Sequence, residues 1–424
     1  MKHLSFIICH LAFGAALLLT GCAMKTETST SESTKFELEY FAFQEEAGGK
    51  WGLMNLDGEV AVEPTYKGAV TACLNDRFVV FHVNSELYTL YAIGEEPRKI
   101  GTYKDIGGFT GDLCPVVDRK NCIKYIDKEG NTAFELNEVE GVKVMRAFNF
   151  VCGRAMVLLE DGTWGYIDDN GETAIPFKYS DAWNFKEGLA VVYLDDPDEE
   201  GAEWAVIDTE GEVLFTKAFS DLDPVAHVYY DGLLGTKKND GEQSQVVFLD
   251  RDGNTVLELQ EGIITGYVFN GKFLFFNSES EKMGLMDTQG NVLLKDKYKK
   301  LNFNGKLLAG KASGNRYYLL DSQGEKLCRL PSGDVLFFEP QFKQYDKRLL
   351  VGTIEDGYVL VDDEGNEVMT DFEIHDFTDS FYWGVTFPKD DDVIEEIDDD
   401  EEYDEEEEPG SLWDMIMEAG EEDN

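Results

Sequence analysis

The sequence predicts an all-β protein built from about nine tandem four-stranded antiparallel meanders, arranged like the blades of a β-propeller. Three observations carry this. The stretch from Asp161 to Tyr193 alternates Trp164, Tyr166 and Asp168 with Gly165 and Ile167, the period-2 pattern of a strand with two unlike faces. Asp168-Asp169-Asn170-Gly171 then supplies turn chemistry, Ala174 to Pro176 and Ser180 to Phe185 read as two further strands, and Leu189 to Tyr193 as a fourth after the turn at Lys186-Glu187-Gly188. The same paragraph recurs along the chain. Taking Trp164 as the anchor, equivalents fall at Trp51, Leu87, Ile123, Trp204, Val246, Met283, Tyr317 and Tyr358, in steps of 34 to 42 residues by subtraction of consecutive numbers.

Three residues after each anchor comes an aliphatic side chain: Met54, Leu90, Ile126, Ile167, Ile207, Leu249, Met286, Leu320 and Val361. One residue further sits Asp127, Asp168, Asp208, Asp250, Asp287, Asp321 or Asp362, with Asn55 and Tyr91 as the exceptions. Gly58, Gly94, Gly130, Gly171, Gly211, Gly253, Gly290, Gly324 and Gly365 close the turn that follows, where a positive φ is expected. An aromatic follows at Tyr66, Tyr103, Tyr179, Phe219, Tyr298 and Phe372. The last hairpin is written most plainly in Asn270-Gly271-Lys272-Phe273 and Asn304-Gly305-Lys306-Leu307, because Asn-Gly between apolar runs is a strong hairpin signal. A lone meander cannot bury both its faces, so neighbours must stack. Nine units exceed the usual four to eight blades, so an open, curved stack stands as the alternative to a closed ring.

Around this body, residues 36–388, the chain changes character. Met1-Lys2-His3 and the apolar run Leu4 to Leu19 have the form of a secretory leader, ending Leu19-Thr20-Gly21-Cys22. These last four residues resemble the bacterial lipobox, which implies cleavage after residue 21, acylation of Cys22 and a lipid-anchored place in the cell envelope. Ala23 after the cysteine implies the outer membrane. Residues 22–35, rich in Ser, Thr and Glu, read as a flexible tether. Residues 389–424 are expected to be a disordered acidic tail: from Asp390 to Asn424 there are twenty acids and neither Lys nor Arg. Within that tail Leu412-Trp413-Asp414-Met415-Ile416-Met417 is an apolar island, and Trp413, Met415 and Ile416 are expected to dock on a partner as a short helix.

The anchors with their following glycines, Trp51-Gly52 and Trp164-Gly165, resemble the WG-repeat family over roughly Gly49 to Phe387. The resemblance implies a β-rich repeat domain and supplies no catalytic residue. Its glycine is replaced by Tyr88, Lys124, Ala205 and Val359 in other units, which argues against a ligand contact there.

Composition narrows function. With 85 acidic against 37 basic residues the formal charge is −48, which repels nucleic acid and anionic headgroups alike. His3, His10, His82, His227 and His375 are dispersed, and no metalloprotease, dithiol or nucleophile-elbow motif occurs. Asp250-Arg251-Asp252-Gly253-Asn254 and Asp362-Asp363-Glu364-Gly365-Asn366 are too short for calcium loops and are read as turns, so no metal and no cofactor are expected. Cys73, Cys114, Cys122, Cys152 and Cys328 cannot all pair and are read as mostly free and buried. The anchor aromatics Trp51, Trp164, Trp204, Tyr317 and Tyr358 belong in the repeat core rather than on a carbohydrate platform, while Trp183 and Trp383 lie off that register and are candidates for an exposed contact. The insert Asp195 to Gly201 marks a candidate rim. The sequence therefore points to a non-catalytic binding or scaffold domain whose partner is another envelope protein or polymer. The other reading is a polymer-acting hydrolase or lyase with acidic pairs on a propeller face.

Overall fold

A computed structural model describes residues 36–387, apart from residues 95, 225, 240–243, 261, 266, 313–315, 331–334, 339–346 and 353–356. The described regular structure is entirely β, in nine small antiparallel sheets that follow one another around a ring as the blades of a propeller. Blade 5 shows the plan. From the centre outwards it runs Asp181–Ala182, Leu189–Tyr193, Glu203–Asp208 and Val213–Ala218, with the anchor Trp204 on the third strand.

That plan shifts the sequence repeat by half a blade. Trp164–Ile167 and Thr173–Tyr179 are the third and outermost strands of blade 4, whereas Asp181–Ala182 and Leu189–Tyr193 open blade 5. Each sequence unit therefore straddles two blades, and the first blade lacks an innermost strand of its own. Asp376–Thr378, more than three hundred residues downstream, supplies it by pairing antiparallel with Phe41–Gln44. This pairing closes the ring and removes the open stack from consideration. A side-chain latch repeats the closure: Arg348 of blade 9 donates from Nε to the Leu56 carbonyl of blade 1 at 2.9 Å, as Arg77 does to Lys128 at 2.8 Å and Arg154 to Thr209 at 2.7 Å.

Beyond Thr378 the chain runs on as a strap along the inner strands. The Ser380 carbonyl accepts from Ala72 N–H at 2.8 Å, and Gly384–Thr386 pairs with Arg146, Ala147 and Phe148 of blade 4. Fully buried Asn149 holds the strap midway, its Nδ2 donating to the Tyr382 carbonyl at 2.9 Å and its Oδ1 accepting from Gly108 N–H at 3.1 Å. Phe381 of the strap meets Phe36 edge-on at 5.4 Å, so both ends of the described chain share one wall.

The core is a set of radial walls between blades. Leu189, Val191 and Trp204 of blade 5 pack on Tyr229, Leu234 and Leu249 of blade 6, and Phe41 and Met54 of blade 1 pack on Leu350 and Leu360 of blade 9. Removing such aliphatic and aromatic area from water is the main stabilising term.

Two sequence signals acquire a physical cause. Asp168 Oδ1 accepts the N–H groups of Asn170 and Glu172, both at 3.0 Å, and Gly171 has φ +81°. The same bonds recur at Asp127, Asp208, Asp250, Asp287, Asp321 and Asp362, and Asn55 makes them to Asp57 and Glu59. Gly58, Gly130, Gly211, Gly253, Gly290, Gly324 and Gly365 share the positive φ, but Gly94 does not, so the turn of blade 2 is built differently. Asn270-Gly271 is a two-residue hairpin with both φ positive (50° and 69°), whereas Asn304 caps its turn through Oδ1 to Lys306 and Leu307 N–H.

The glycine after the anchor marks a bulge. In blades 1, 4 and 7 the outer strand carries two extra residues opposite it: Trp51 pairs Tyr66 and Leu53 pairs Val62, with the same spacing at Trp164/Tyr166 and Met283/Leu285. A Cβ at Gly165 would lie 2.9 Å from Phe177 Cα and 2.7 Å from its Cγ. Blade 5, with Ala205 there, pairs regularly through Trp204–Lys217 and Ala205–Thr216. Gly165→Val is thus expected to cost about 1–3 kcal/mol by overpacking, read as a lower urea midpoint; an unchanged midpoint would show that the bulge has room.

Candidate functional site

The two faces of the ring differ. One carries the Asp-x-x-Gly turns and the inner hairpin turns, stitched to one another: Glu187 accepts from Asp231 and Gly232 N–H at 2.9 and 2.8 Å, and Asp231 Oδ2 from Gly271 N–H at 2.9 Å. Those polar groups are spent on the fold. The opposite face carries the starts of the inner strands, and there an aromatic and acidic arc spans blades 2 to 6.

The arc begins with Tyr88 and Tyr382, whose rings meet edge-on at 5.1 Å. Asp105 follows at the start of the blade 3 inner strand, its Oδ1 accepting from Ile106 N–H and its Oδ2 from Thr386 N–H, both at 2.9 Å. Asp181 begins blade 5 in the same way, its Oδ1 taking Ala182 N–H at 2.9 Å, and Asp376 does so in blade 1 with Phe377 N–H at 2.8 Å. Arg146 acts electrostatically on both Asp105 and Asp181, with its guanidinium 4.8 Å over the Phe148 ring. Burial pushes the Asp105 and Asp181 carboxyls up, against the pull of Arg146 and of their backbone donors. Farther along, Tyr193 Oη lies 2.8 Å from His227 Nε2, and the His227 ring stacks on Trp183 at 3.9 Å and 10°. Asp223, pushed up by burial and drawn down by Lys237, ends the arc. The insert loop joins this face, since Ser180 Oγ donates to the Asp195 carbonyl at 2.7 Å.

Burial drives the His227 imidazole down to about 3, so it stays neutral when folded. The unfolded chain takes up that proton near pH 6.5, so this contribution to stability is complete above the unfolded pKa and is lost as pH falls from there towards about 3. With His227→Gln, the fall in unfolding free energy from pH 6.5 to 4.5, measured by urea titration, should shrink by up to the one-proton limit of about 1.4 kcal/mol per pH unit. An identical pH profile in the variant would show that the ring protonates in place.

Trp204 is fully buried, its indole N–H donating to the Leu222 carbonyl at 2.7 Å. Trp51, Trp164, Tyr317 and Tyr358 are half-buried at the edges of the interblade walls. Trp183 and Trp383 are half-buried too, Trp183 in the arc and Trp383 against Phe381 at 4.5 Å. Cys73, Cys114 and Cys152 are buried and in no disulfide, and Cys114 stands opposite Ile126 across its hairpin. Cys22, Trp413, Met415 and Ile416 lie outside the described residues. The arc itself was missed, because its members come from five blades. One signal was available: an acid two residues after the outer-strand aromatic, as in Tyr103–Asp105 and Tyr179–Asp181.

The arc offers half-buried ring faces, carboxylates and one guanidinium on an open surface. The crevice under the strap, between Thr71, Leu90, Phe109 and Phe381, encloses about 10 Å³, the room of roughly one water.

The family model described as WG containing repeat matches residues 51–71 and 164–196, which cover the bulged outer strands of blades 1 and 4. No curated protein matches the chain. Among solved structures, the chain is similar to one described as the eukaryotic initiation factor, at 13% identity over 82% of this chain and 98% of that one, with a TM-score of 0.53. The computationally designed Ika8 protein (15% identity, 66% and 89% covered, TM-score 0.36) and BamB from Moraxella catarrhalis (16%, 67% and 93%, 0.34) also match. At such identities the likeness concerns the fold alone, and only the first is close enough to bear on it.

Proposed function

We propose that this protein is a non-catalytic binding or scaffold module of the cell envelope, held there by acyl chains on Cys22, and that the arc on blades 2 to 6 is its recognition surface for an envelope protein or polymer. The observation that carries the reading is the arc: aromatic faces and hydrogen-bonding groups from five blades in one row, on a ring clasped at its seam. A rigid, extended and partly aromatic surface suits a partner that lies along it, with little ordering cost on the protein's side.

The second reading, a polymer-acting hydrolase, draws on one specific feature: Asp105 and Asp181, on the blades either side of Arg146, are both pushed up by burial and both feel its charge. Asp105 has both oxygens engaged by backbone donors, which suits a structural acid better than a proton shuttle.

The address is tested by Cys22→Ala. The variant is expected to incorporate no labelled fatty acid and to leave the membrane fraction; continued labelling would overturn the anchor. The surface is tested by a photo-crosslinking residue at Trp183 in native envelopes, with the same residue at exposed Met369, beside the Gly58 turn and away from the arc, as control. One discrete adduct at position 183 and none at 369 is expected. Adducts of equal yield at both positions would remove the arc as the binding surface while leaving the anchor untouched.

A further inference from the structure

The charge of this chain is not evenly spread. Between Lys282 and Arg329 there are ten Lys and Arg against four Asp and Glu, in a protein where acids outnumber bases 85 to 37. The fold gathers this segment on the outer parts of blades 7 and 8. Lys295 and Lys297 stand on the bulged outer strand Val292–Tyr298, Lys299 and Lys300 on the link into blade 8, and Lys326 and Arg329 on its outer strand Lys326–Leu330. All six are exposed. The two blades adjoin there, because the Gly324 turn of blade 8 packs on Leu294 of blade 7.

None of the four acids of this segment, Asp287, Asp296, Asp321 and Glu325, makes an ion pair among the described residues. Asp287 and Asp321 are used as turn acceptors, and Asp296 accepts from Ser280 Oγ at 2.6 Å and Asn277 Nδ2 at 2.9 Å. The cations lie over rings instead, Lys326 at 3.8 Å from Tyr318 and Lys297 at 5.2 Å from Tyr298. Lys295, Lys299, Lys300 and Arg329 make no ion pair among the described residues. Between the cations lie exposed apolar side chains, Val292 (52%), Leu293 (38%) and Leu327 (42%).

One segment of the same chain matches this surface in both respects. Residues 390–424 hold twenty acids and no Lys or Arg, and they carry the island Leu412 to Met417. The 37 residues from 388 onwards can extend on the order of 100 Å. A compact body the size of the ring has a radius of gyration of roughly 20 Å, so the far blades lie within reach. At tethered, effectively millimolar concentration, a weak ionic and apolar contact is occupied far more than it would be between separate molecules.

We propose that the outer surface of blades 7 and 8 is the docking site of the protein's own acidic C-terminal segment, with the acids of residues 390–408 on Lys295, Lys297, Lys299, Lys300, Lys326 and Arg329, and Trp413, Met415 and Ile416 over Val292, Leu293 and Leu327. The proposal is independent of the arc and of the anchor at Cys22.

The test joins carboxylates to lysines in the full-length protein with a zero-length carbodiimide, on an equal mixture of ¹⁴N- and ¹⁵N-labelled chains. Links from residues 390–408 to Lys295–Lys300 and Lys326, within single chains, are expected. They should vanish in 1 M salt, where the Debye length is about 3 Å, and in the variant Lys295→Gln/Lys297→Gln/Lys299→Gln/Lys300→Gln. A second variant, with the acids of residues 398–402 changed to Asn and Gln, should lose them without touching the ring. Links spread over exposed lysines of every blade, or links that survive the lysine variant, would overturn the proposal. Links only between differently labelled chains would overturn it in favour of a second copy as the occupant.

Discussion

A chain ended at Ile374 is expected to lose cooperative unfolding altogether, whereas one ended at Pro388 keeps the melting behaviour of the full-length protein to within the small contribution of an exposed ionic contact. The difference is the strap. It forms the innermost strand of blade 1, pairs with blade 4 and buries Phe381 and Val385. Each buried apolar side chain contributes about 1.5–3 kcal/mol. Without the strap, the Asn149 side-chain amide and the backbone N–H groups of Asn149 and Ala72 would lose the acceptors they find on Tyr382, Trp383 and Ser380, at about 1–3 kcal/mol for each stranded group. The sum is comparable to the whole stability of a typical domain, roughly 5–15 kcal/mol, and two inner strand edges would lie open besides. Calorimetry on both truncations decides the matter. If the Ile374 chain melts in one sharp transition at the original temperature, the ring does not depend on its clasp.

The second large effect is Trp204→Ala, expected to cost about 3–5 kcal/mol, and more than Trp164→Ala. Both are anchors of the same repeat. Trp204 is fully buried between blades 5 and 6 and its N–H holds the Leu222 carbonyl, so truncation leaves a cavity and an orphaned acceptor. Trp164 is half-buried at the edge of its wall, 6.0 Å from Phe148. Urea unfolding of the two variants side by side checks the ranking; equal losses would mean that the outer edge of each wall is as dry as its middle.

The architecture was legible in the sequence because its two periods are enforced locally. The Asp and Gly of each turn answer to bonds within five residues, so they survive at Asp168 and Gly171 whatever the neighbouring blades do. Gly165 was legible as a signature but not as a cause, since the bulge it accommodates is formed by Phe177, on another strand. The half-blade offset was hidden: a repeat has no punctuation, and only the pairing of Asp376–Thr378 with Phe41–Gln44 shows where a blade begins. The arc was hidden for a related reason. Asp105, Arg146, Asp181 and His227 are brought together by curvature, which no single unit encodes. The basic sector, by contrast, could be counted directly from Lys282 to Arg329, and was obscured by the overall charge of −48.

The clasp also settles how the ring would respond to a load. Phe41–Gln44 and Asp376–Thr378 run antiparallel, with Ala42 opposite Thr378 and Gln44 opposite Asp376. A pull on the two ends of the chain therefore acts on the same end of that pair and peels it one residue at a time, rather than shearing all its hydrogen bonds together. The strap peels likewise, starting from Thr386 opposite Arg146 and moving inward. Tension between the N-terminal side and anything that grips the C-terminal side would open the seam first, at low force and in steps, with blades 5 to 8 still stacked. Heat meets the closure as one cooperative unit, whereas traction meets it as a zip.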